Sequence, residues 1–466
     1  MKNTLKLILA LALVASMAFG MVSCSLFGDK TPAGDTETLA QGVDTENHVI
    51  TIGNTAATSG AFAAVGVPFN YAQEAYFWYF TTQTDGYKDA EGNKYTIEFK
   101  HYDDGFDGPT GNTYTKKLVE EDKVFALVGH FGSNTVSATV DYLEEMEIPM
   151  VYGVCGVSDL YNTEANIMTV QPIYDTEGQS MVATAFAPVE AGGLGATKLG
   201  VISTTDEAGK GMLNGIQIEL NKLGKTAEFQ AADAKAESYS AEVTALKNAG
   251  CDVVIIAANQ APFVNIANAF VAAQYDNVKI LTSYVSANYA TMGGLVASTA
   301  ISATREVYAG AWLVTGSAPD TTFKGWNDFA EYCRIMTLYA KHKGEELIKL
   351  EADATAAALL GGYEWAAEGV SSYYLNSYAM AGYVSASVFC EGLSRMSGKV
   401  LSWEGFIAAM ESAPINVPMG QSVSYANGQR VGIDSLAVNK YTVANFGVGE
   451  VHRGITDLAT LEAAIK

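Results

Sequence analysis

The chain has 466 residues, 49% of them hydrophobic and 17% charged, with 51 Asp plus Glu against 28 Lys plus Arg and a formal charge of −23. That length supplies two or three domains with real cores and excludes disorder, and 5 cysteines are too few for a disulfide framework. A polyanion repels nucleic-acid phosphates and anionic membrane surfaces, so no nucleic acid is expected as a partner.

Lys2 and Lys6 form a short basic head before an uncharged, Leu/Ala-rich run from Leu7 to Val22 that ends at Val22-Ser23-Cys24. The run falls short of the roughly 20 residues a spanning helix needs, and it reads as an export signal over residues 1–24. Residues 21–24 resemble the bacterial lipoprotein box, with Met21 in place of the usual leucine, which makes Cys24 the expected lipid anchor. Residues 25–47 are rich in Gly, Thr, Asp and Ala without a hydrophobic period, and are expected to be a flexible tether.

From Val49 short apolar runs alternate with longer amphipathic segments, the pattern of β-α-β units on a mostly parallel sheet. Val49 to Gly53 predicts a strand and Gly66 to Phe80 a helix with a thick aromatic face. Tyr95 to Phe99 predicts a strand, Thr110 to Glu121 a helix, Val124 to Val128 a buried strand, Ser137 to Met146 a helix and Ile148 to Val151 a strand. The alternation then restarts. Strands are predicted at Lys198 to Ile202, Asp252 to Ala257 and Lys279 to Leu281, and helices at Gly209 to Leu223, Tyr239 to Ala249 and Ala261 to Ala273. Asp320 to Ser377 reads as mostly helical and aromatic, followed by helices at Tyr378 to Ser397 and Trp403 to Ser412 and a late strand at Ile433 to Tyr441.

No catalytic constellation emerges. The histidines His48, His101, His130, His342 and His452 lack the spacing of a zinc site, so no metal or other cofactor is expected. Cys155, Cys251, Cys333 and Cys390 stand in apolar surroundings as small core residues. The cluster Asp103-Asp104-Gly105-Phe106-Asp107 lacks the spacing of a calcium loop and reads as a solvated turn with Asx capping. Two polar loops at strand ends, Thr58-Ser59-Gly60 and Gly129 to Thr135, lie where open α/β sheets bind ligands, and their N–H groups and hydroxyls suit a carboxylate.

Several pieces together carry a resemblance: Ile52-Gly53 with Thr58-Ser59-Gly60 and Gly66, the Asp103-Asp104 turn with Asp107 and Pro109, Val128-Gly129-His130 with Ser133-Asn134, and Ile148-Pro149. Tyr174-Asp175 with Gly178-Gln179, Asp206 to Gly209 and Ala249 to Val254 continue it. From Val49 to about Tyr441 the chain resembles the extracytoplasmic solute-binding proteins of ABC importers, of the branched-chain amino-acid-binding type (type I).

The resemblance implies an α/β fold of two Rossmann-like lobes joined by three hinge strands, with crossings near Gln171-Pro172, Ala311-Trp312 and Gly428 to Arg430. Lobe 1 is expected over 48–171, completed by about 312–430 with a helical insertion near 320–377, and lobe 2 over 172–311, completed by about 431–466. It implies capture of a small molecule by lobe closure and no enzymatic activity. The family holds its ligand carboxylate with the equivalents of Ser133 and of atoms in Val154-Cys155-Gly156, and the ligand ammonium with the equivalent of Asp175. Gly156 stands where a threonine is usual and Tyr284 where a second acid is; Ser59, Asn134 and Asn259 complete the expected site. An amino acid or related zwitterion is the expected ligand, with a small amide or an aromatic acid as the alternative. ABC permease subunits are the expected partners of an exported monomer, periplasmic or on the outer face of the cell membrane and held there through Cys24. A sensory component of the same fold is the alternative role.

Overall fold

The computed structural model describes residues 38–314, 324–447 and 449–465. The expected signal at 1–24 with Cys24, and residues 25–37 of the expected tether, lie outside the described residues. Between Ala40 and Asn47 the tether expectation is corrected. Ala40 N–H bonds to Leu401 O at 2.9 Å, Thr51 N–H bonds to Gly42 O at 2.8 Å, and β1 (Val43–Asp44) pairs antiparallel with the next strand. The Gln41 amide donates to Val119 O and Val124 O. Backbone and amide hydrogen bonds hold this stretch, and such bonds leave no hydrophobic period in a sequence.

In the first lobe β2 (Val49–Ala56), α1 (Ala63–Gln83), β3 (Thr96–Asp103), α2 (Gly108–Glu120), β4 (Leu127–Val128), α3 (Ser133–Glu145) and β5 (Met150–Val151) alternate along the chain. The strands lie parallel in the order β3-β2-β4-β5. In the second lobe α4 (Tyr174–Phe186) leads into β6 (Leu199–Thr204), α5 (Glu207–Leu223), β7 (Ala227–Ala232), α6 (Ser240–Ala249), β8 (Val253–Ala257), α7 (Gln260–Ala272), β9 (Val278–Thr282), α8 (Tyr289–Ala297) and β10 (Arg305–Ala311). β11 (Leu436–Tyr441), β12 (Glu450–Thr456) and α13 (Leu458–Ile465) return to it from the end of the chain, giving a seven-stranded sheet in the order β12-β11-β10-β9-β8-β6-β7. Pairing is antiparallel on either side of β11 and parallel elsewhere. β8 is buried at every residue, which is why its apolar run was legible, whereas β7 at the sheet edge exposes Glu228, Phe229 and Ala231 and has no such run.

The remaining helices belong with the first lobe. α9 (Lys324–Lys343) and α10 (Ala354–Leu360) come from the expected insertion; α11 (Ser377–Arg395) and α12 (Trp403–Glu411) follow. Trp326, Phe329, Tyr332 and Met336 of α9 are buried with Ala72 and Ala75 of α1 and Tyr383 of α11, so the aromatic face of α1 is covered by the insertion. α1 is thus packed on more than one side and buries polar groups too. Asn54 Nδ2 donates to Asn70 Oδ1 at 3.0 Å and to Gln73 Oε1 at 2.9 Å, and Gln73 Nε2 donates to Val128 O and Ser385 Oγ, both at 2.9 Å.

The chain passes between the two sheets after β5, after β10, where Leu313 bridges Gly420, and before β11, where Ile433 N–H bonds to Val170 O at 2.9 Å. Among the described residues no helix is long and apolar enough to cross a membrane.

The α1–α11 crossing is tight. A Cβ at Gly382 would stand 2.1 Å from Phe69 O, a backbone atom that cannot swing aside. Gly382→Ala should therefore cost about 1–3 kcal/mol by forcing the helices apart and lower the melting temperature. Gly294→Ala, at an exposed position of α8 where nothing lies within 4 Å, should be neutral or stabilising. Equal melting curves for Gly382→Ala and the unsubstituted chain would refute the crossing.

Candidate functional site

The acidic turn after β3 caps α2 as expected, Asp107 accepting from Thr110 N–H, and exposes Gly105 and Asp107, but Asp104 is not solvated, which corrects that part of the expectation. Asp104 is 2% exposed; its Oδ2 accepts from Thr55 Oγ1 at 2.7 Å and Thr135 Oγ1 at 2.8 Å, and its Oδ1 from Phe106 N–H at 2.8 Å. His130 is fully buried beside it. Its Nδ1 accepts from Thr55 N–H at 3.3 Å, so Nε2 carries the proton and faces the Thr115 and Thr139 hydroxyls at 3.2 Å. Burial pushes its pKa down to about 3, so the ring is a neutral structural group. These contacts fix the loop between β4 and α3.

Gly132 takes φ 102 at the N-cap of α3 and offers no side-chain cap. The helix therefore begins at Ser133, four residues before the expected Ser137, and Gly132 and Ser133 border a cavity of about 190 Å³. A single water needs only about 10–15 Å³ on such a measure, so there is room for an organic molecule.

The walls come from both lobes. Phe62, Val65 and Phe131 stand on the first-lobe side with Tyr152 and Val154, and Phe62 stacks on Phe106 at 4.3 Å. Across from them are Asn259 and Gln260 at the start of α7, Tyr284, and Tyr289 at the start of α8. Tyr378 on the first turn of α11 spans the cleft, its hydroxyl 3.0 Å from Val285 O and 3.3 Å from Gln260 Oε1.

Among the described residues none that lines the cavity is Asp, Glu, Lys, Arg or His. The field inside is set by the positive ends of α3, α7, α8 and α11, each of which brings its first turn to the wall.

Of the residues expected from sequence, Ser133, Val154, Asn259 and Tyr284 line this cavity and Ser59, Asn134, Gly156 and Asp175 do not. Ser59 is exposed, and its N–H and that of Thr58 are taken up by Asp103 Oδ1 at 3.3 and 2.9 Å. Asn134 is also exposed and turns its amide to Phe106 O at 3.3 Å. Gly156 is covered by the Tyr174 ring. Asp175 faces α5 instead of the cleft, accepting from Asn214 Nδ2 at 2.9 Å. Tyr284 donates to Pro172 O at 2.9 Å, and burial holds its phenol well above the usual pKa, so it cannot supply the negative charge of the acid it stands in for. Sequence reasoning missed Phe62, Tyr174, Trp312 and Tyr378; apolar aromatics are ordinary core residues until topology places them.

One carboxyl lies just behind the wall. Glu177 is 1% exposed and accepts from Tyr284 N–H at 2.8 Å and from the Ser283 hydroxyl at 2.9 Å. A Cβ on Gly310, which lines the cavity, would stand 3.5 Å from its Oε1. Desolvation pushes its pKa up to about 7.

A family model described as periplasmic binding protein matches residues 49–323. No curated protein matches the sequence closely enough to count as a relative. Among solved structures the chain is similar to a fatty acid ABC transporter substrate-binding protein from Thermomonospora curvata, at 16% identity and a TM-score of 0.65 over 91% of this chain and 97% of that one. It is similar to a solute binding protein of an ABC transporter from Rhodopseudomonas palustris in complex with p-hydroxybenzoic acid, at 17% identity and 0.63 over 88% and 97%. A leucine binding protein from Thermotoga maritima is similar at 15% identity and 0.62 over 84% and 95%.

Because the folded-state pKa of Glu177 is raised, the native chain keeps a proton that the unfolded chain loses. Its stability is therefore full below pH 4.5, falls as pH rises to about 7 and is level above that, at a cost on the order of 3 kcal/mol. Glu177→Gln, neutral at every pH, should match the parent chain near pH 4.5 and melt higher at pH 8. Thermal melts across that range check this; a gap that does not change with pH would count against a buried proton.

Proposed function

The chain belongs to the periplasmic binding protein family, and we propose that the solute it captures is a small, largely apolar organic acid without an ammonium group. The protein is a solute-binding component of the ABC-transporter type, not an enzyme, and its family places it outside the cytoplasm. The observation that carries the ligand class is a cavity wall that, among the described residues, has no charged side chain and takes in the first turns of four helices.

A zwitterion brings a cation as well as a carboxylate. Burying an ammonium without an acidic partner is costly, and the same helix ends that favour an anion oppose it. Aromatic faces can hold a cation, but here they sit among those positive ends. A carboxylate on an apolar body suits both features: the hydroxyl and first N–H groups at Ser133 take the charge, and Phe62, Val65 and Trp312 take the body. The fatty acid substrate-binding protein and the p-hydroxybenzoic acid complex lend this weight; the leucine binding protein has the same fold, so fold alone does not choose. The amino-acid expectation gives way to the aromatic-acid alternative for this reason.

In this reading the lobes, 48–171 with 312–430 and 172–311 with 431–466, close over the acid. The protein works as a monomer that hands its load to permease subunits, tethered to the membrane by a lipid on Cys24.

Calorimetry and thermal shifts with 4-hydroxybenzoate, octanoate and leucine test the ligand class. At least one acid should bind and raise the melting temperature while leucine does not; tight leucine binding with no response to either acid overturns the reading. Ser133→Ala should weaken acid binding roughly tenfold or more, the worth of a hydrogen bond to a charged group. Asp175→Ala, whose carboxylate serves the α4–α5 contact, should leave affinity unchanged.

A further inference from the structure

Gly156 departs from the family resemblance by lacking a hydroxyl, and the structure shows what fills the space. A Cβ on Gly156 would lie 2.6, 2.7 and 2.8 Å from the Cδ1, Cε1 and Cγ atoms of Tyr174. A Cβ on Gly211 of α5 would lie 2.9 Å from Tyr174 Cβ and 3.1 Å from its Cδ2. The side chain is thus held between two glycine backbones, and its own N–H is tied to Gly156 O at 2.7 Å. Neither glycine could be exchanged without moving it. The ring is 3% exposed, lines the cavity, and brings its hydroxyl to 3.3 Å from Ser133 Oγ at the opening of α3.

We propose that Tyr174 is a ligand-binding and specificity-determining residue, its phenolic hydroxyl acting with the Ser133 hydroxyl as a two-pronged clamp on the carboxylate of the solute. Two hydroxyl oxygens 3.3 Å apart can both stand about 2.7 Å from one carboxylate oxygen, the usual O–H···O distance. Tyr174 opens α4 of the second lobe and Ser133 opens α3 of the first, so the clamp forms only where the lobes meet. Burial holds the phenol protonated across the physiological range, leaving it a donor. One of the two hydroxyls now accepts from the other; with a ligand between them both can donate, and a carboxylate is favoured over an uncharged carbonyl because hydrogen bonds to an ion are about twice as strong. The glycine at 156 thus replaces a threonine hydroxyl by admitting a phenolic one from the other lobe.

This inference rests on the organic-acid reading, and the experiment separates the two. Calorimetry compares 4-hydroxybenzoate with 4-hydroxybenzamide, and octanoate with octanamide, on the unsubstituted chain, Tyr174→Phe and Ser133→Ala. Thermal melts check that Tyr174→Phe, which keeps the ring, stays folded. The expected result is an acid that binds the unsubstituted chain at least tenfold more tightly than its amide, with Tyr174→Phe losing most of that ratio while amide affinity changes little. A ring with only a packing role would lower acid and amide together, and that outcome overturns the clamp. So does full acid affinity in Tyr174→Phe alongside a loss in Ser133→Ala, which leaves the organic-acid reading standing. If neither acid binds the unsubstituted chain, the organic-acid reading itself falls and the clamp with it.

Discussion

The cavity depends on how one buried carboxylate is satisfied. Asp104 sits among donors from three segments: the Thr55 hydroxyl at the end of β2, the Thr135 hydroxyl in the first turn of α3, and the Phe106 N–H of its own loop. A buried anion is tolerable only when such donors surround it, so each segment is pinned where its donor must be. The first turn of α3 is thereby tied to the carboxyl end of β2. His130 reinforces the arrangement as a neutral ring wedged between Thr55, Thr115 and Thr139. Both residues have the chemistry of catalytic groups and neither reaches the cavity; their work is to aim a helix end.

Aiming matters because, among the described residues, no charged side chain lines the cavity. The chain carries 51 acidic side chains, and two of those just behind the wall are already engaged: Glu177 is held by Ser283 and the Tyr284 N–H, and Asp206 accepts from the Asn259 amide. The electrostatic character of the site is left to backbone dipoles, which do not titrate. Such a wall discriminates by charge sign through geometry, and a ligand that must bury a cation finds no carboxylate among the described residues that line it.

The two-lobe α/β fold was legible because its central strands are buried on both faces: β8 reads Val253-Val254-Ile255-Ile256-Ala257 without interruption. β7 was not, since an edge strand alternates with solvent, nor was α4, whose Gly- and Thr-containing sequence around Gly178 is set by close packing on α5, where a Cβ at Gly178 would meet Met212 O at 2.1 Å. The site was legible only where the family's backbone geometry persists. Ser133 and Val154 came from the resemblance, and both line the cavity although the helix that opens at Ser133 was expected to begin at Ser137. Asp175 does not line the cavity because adjacent helical residues point in different directions: Tyr174 enters it while Asp175 turns to Asn214. A placement one residue off along a helix is a turn of about 100°, which no match of motifs detects.

The insertion acquires a role once its packing is followed inward. By covering the aromatic face of α1, α9 holds the frame against which α11 is packed, and α11 begins at the cavity with Ser377 and Tyr378. Tyr378 then reaches Val285 and Gln260 across the cleft, as Tyr174 reaches Ser133. Each is a bond between uncharged groups, worth about 0.5–1.5 kcal/mol net, which is comparable with the small free-energy differences that separate conformers of a binding protein. Neutral bridges of that size do not commit the lobes to closure on their own. An acid seated at Ser133 exchanges one long neutral contact for charge-assisted ones, and because its donors stand on both lobes, that gain exists only while the lobes are together.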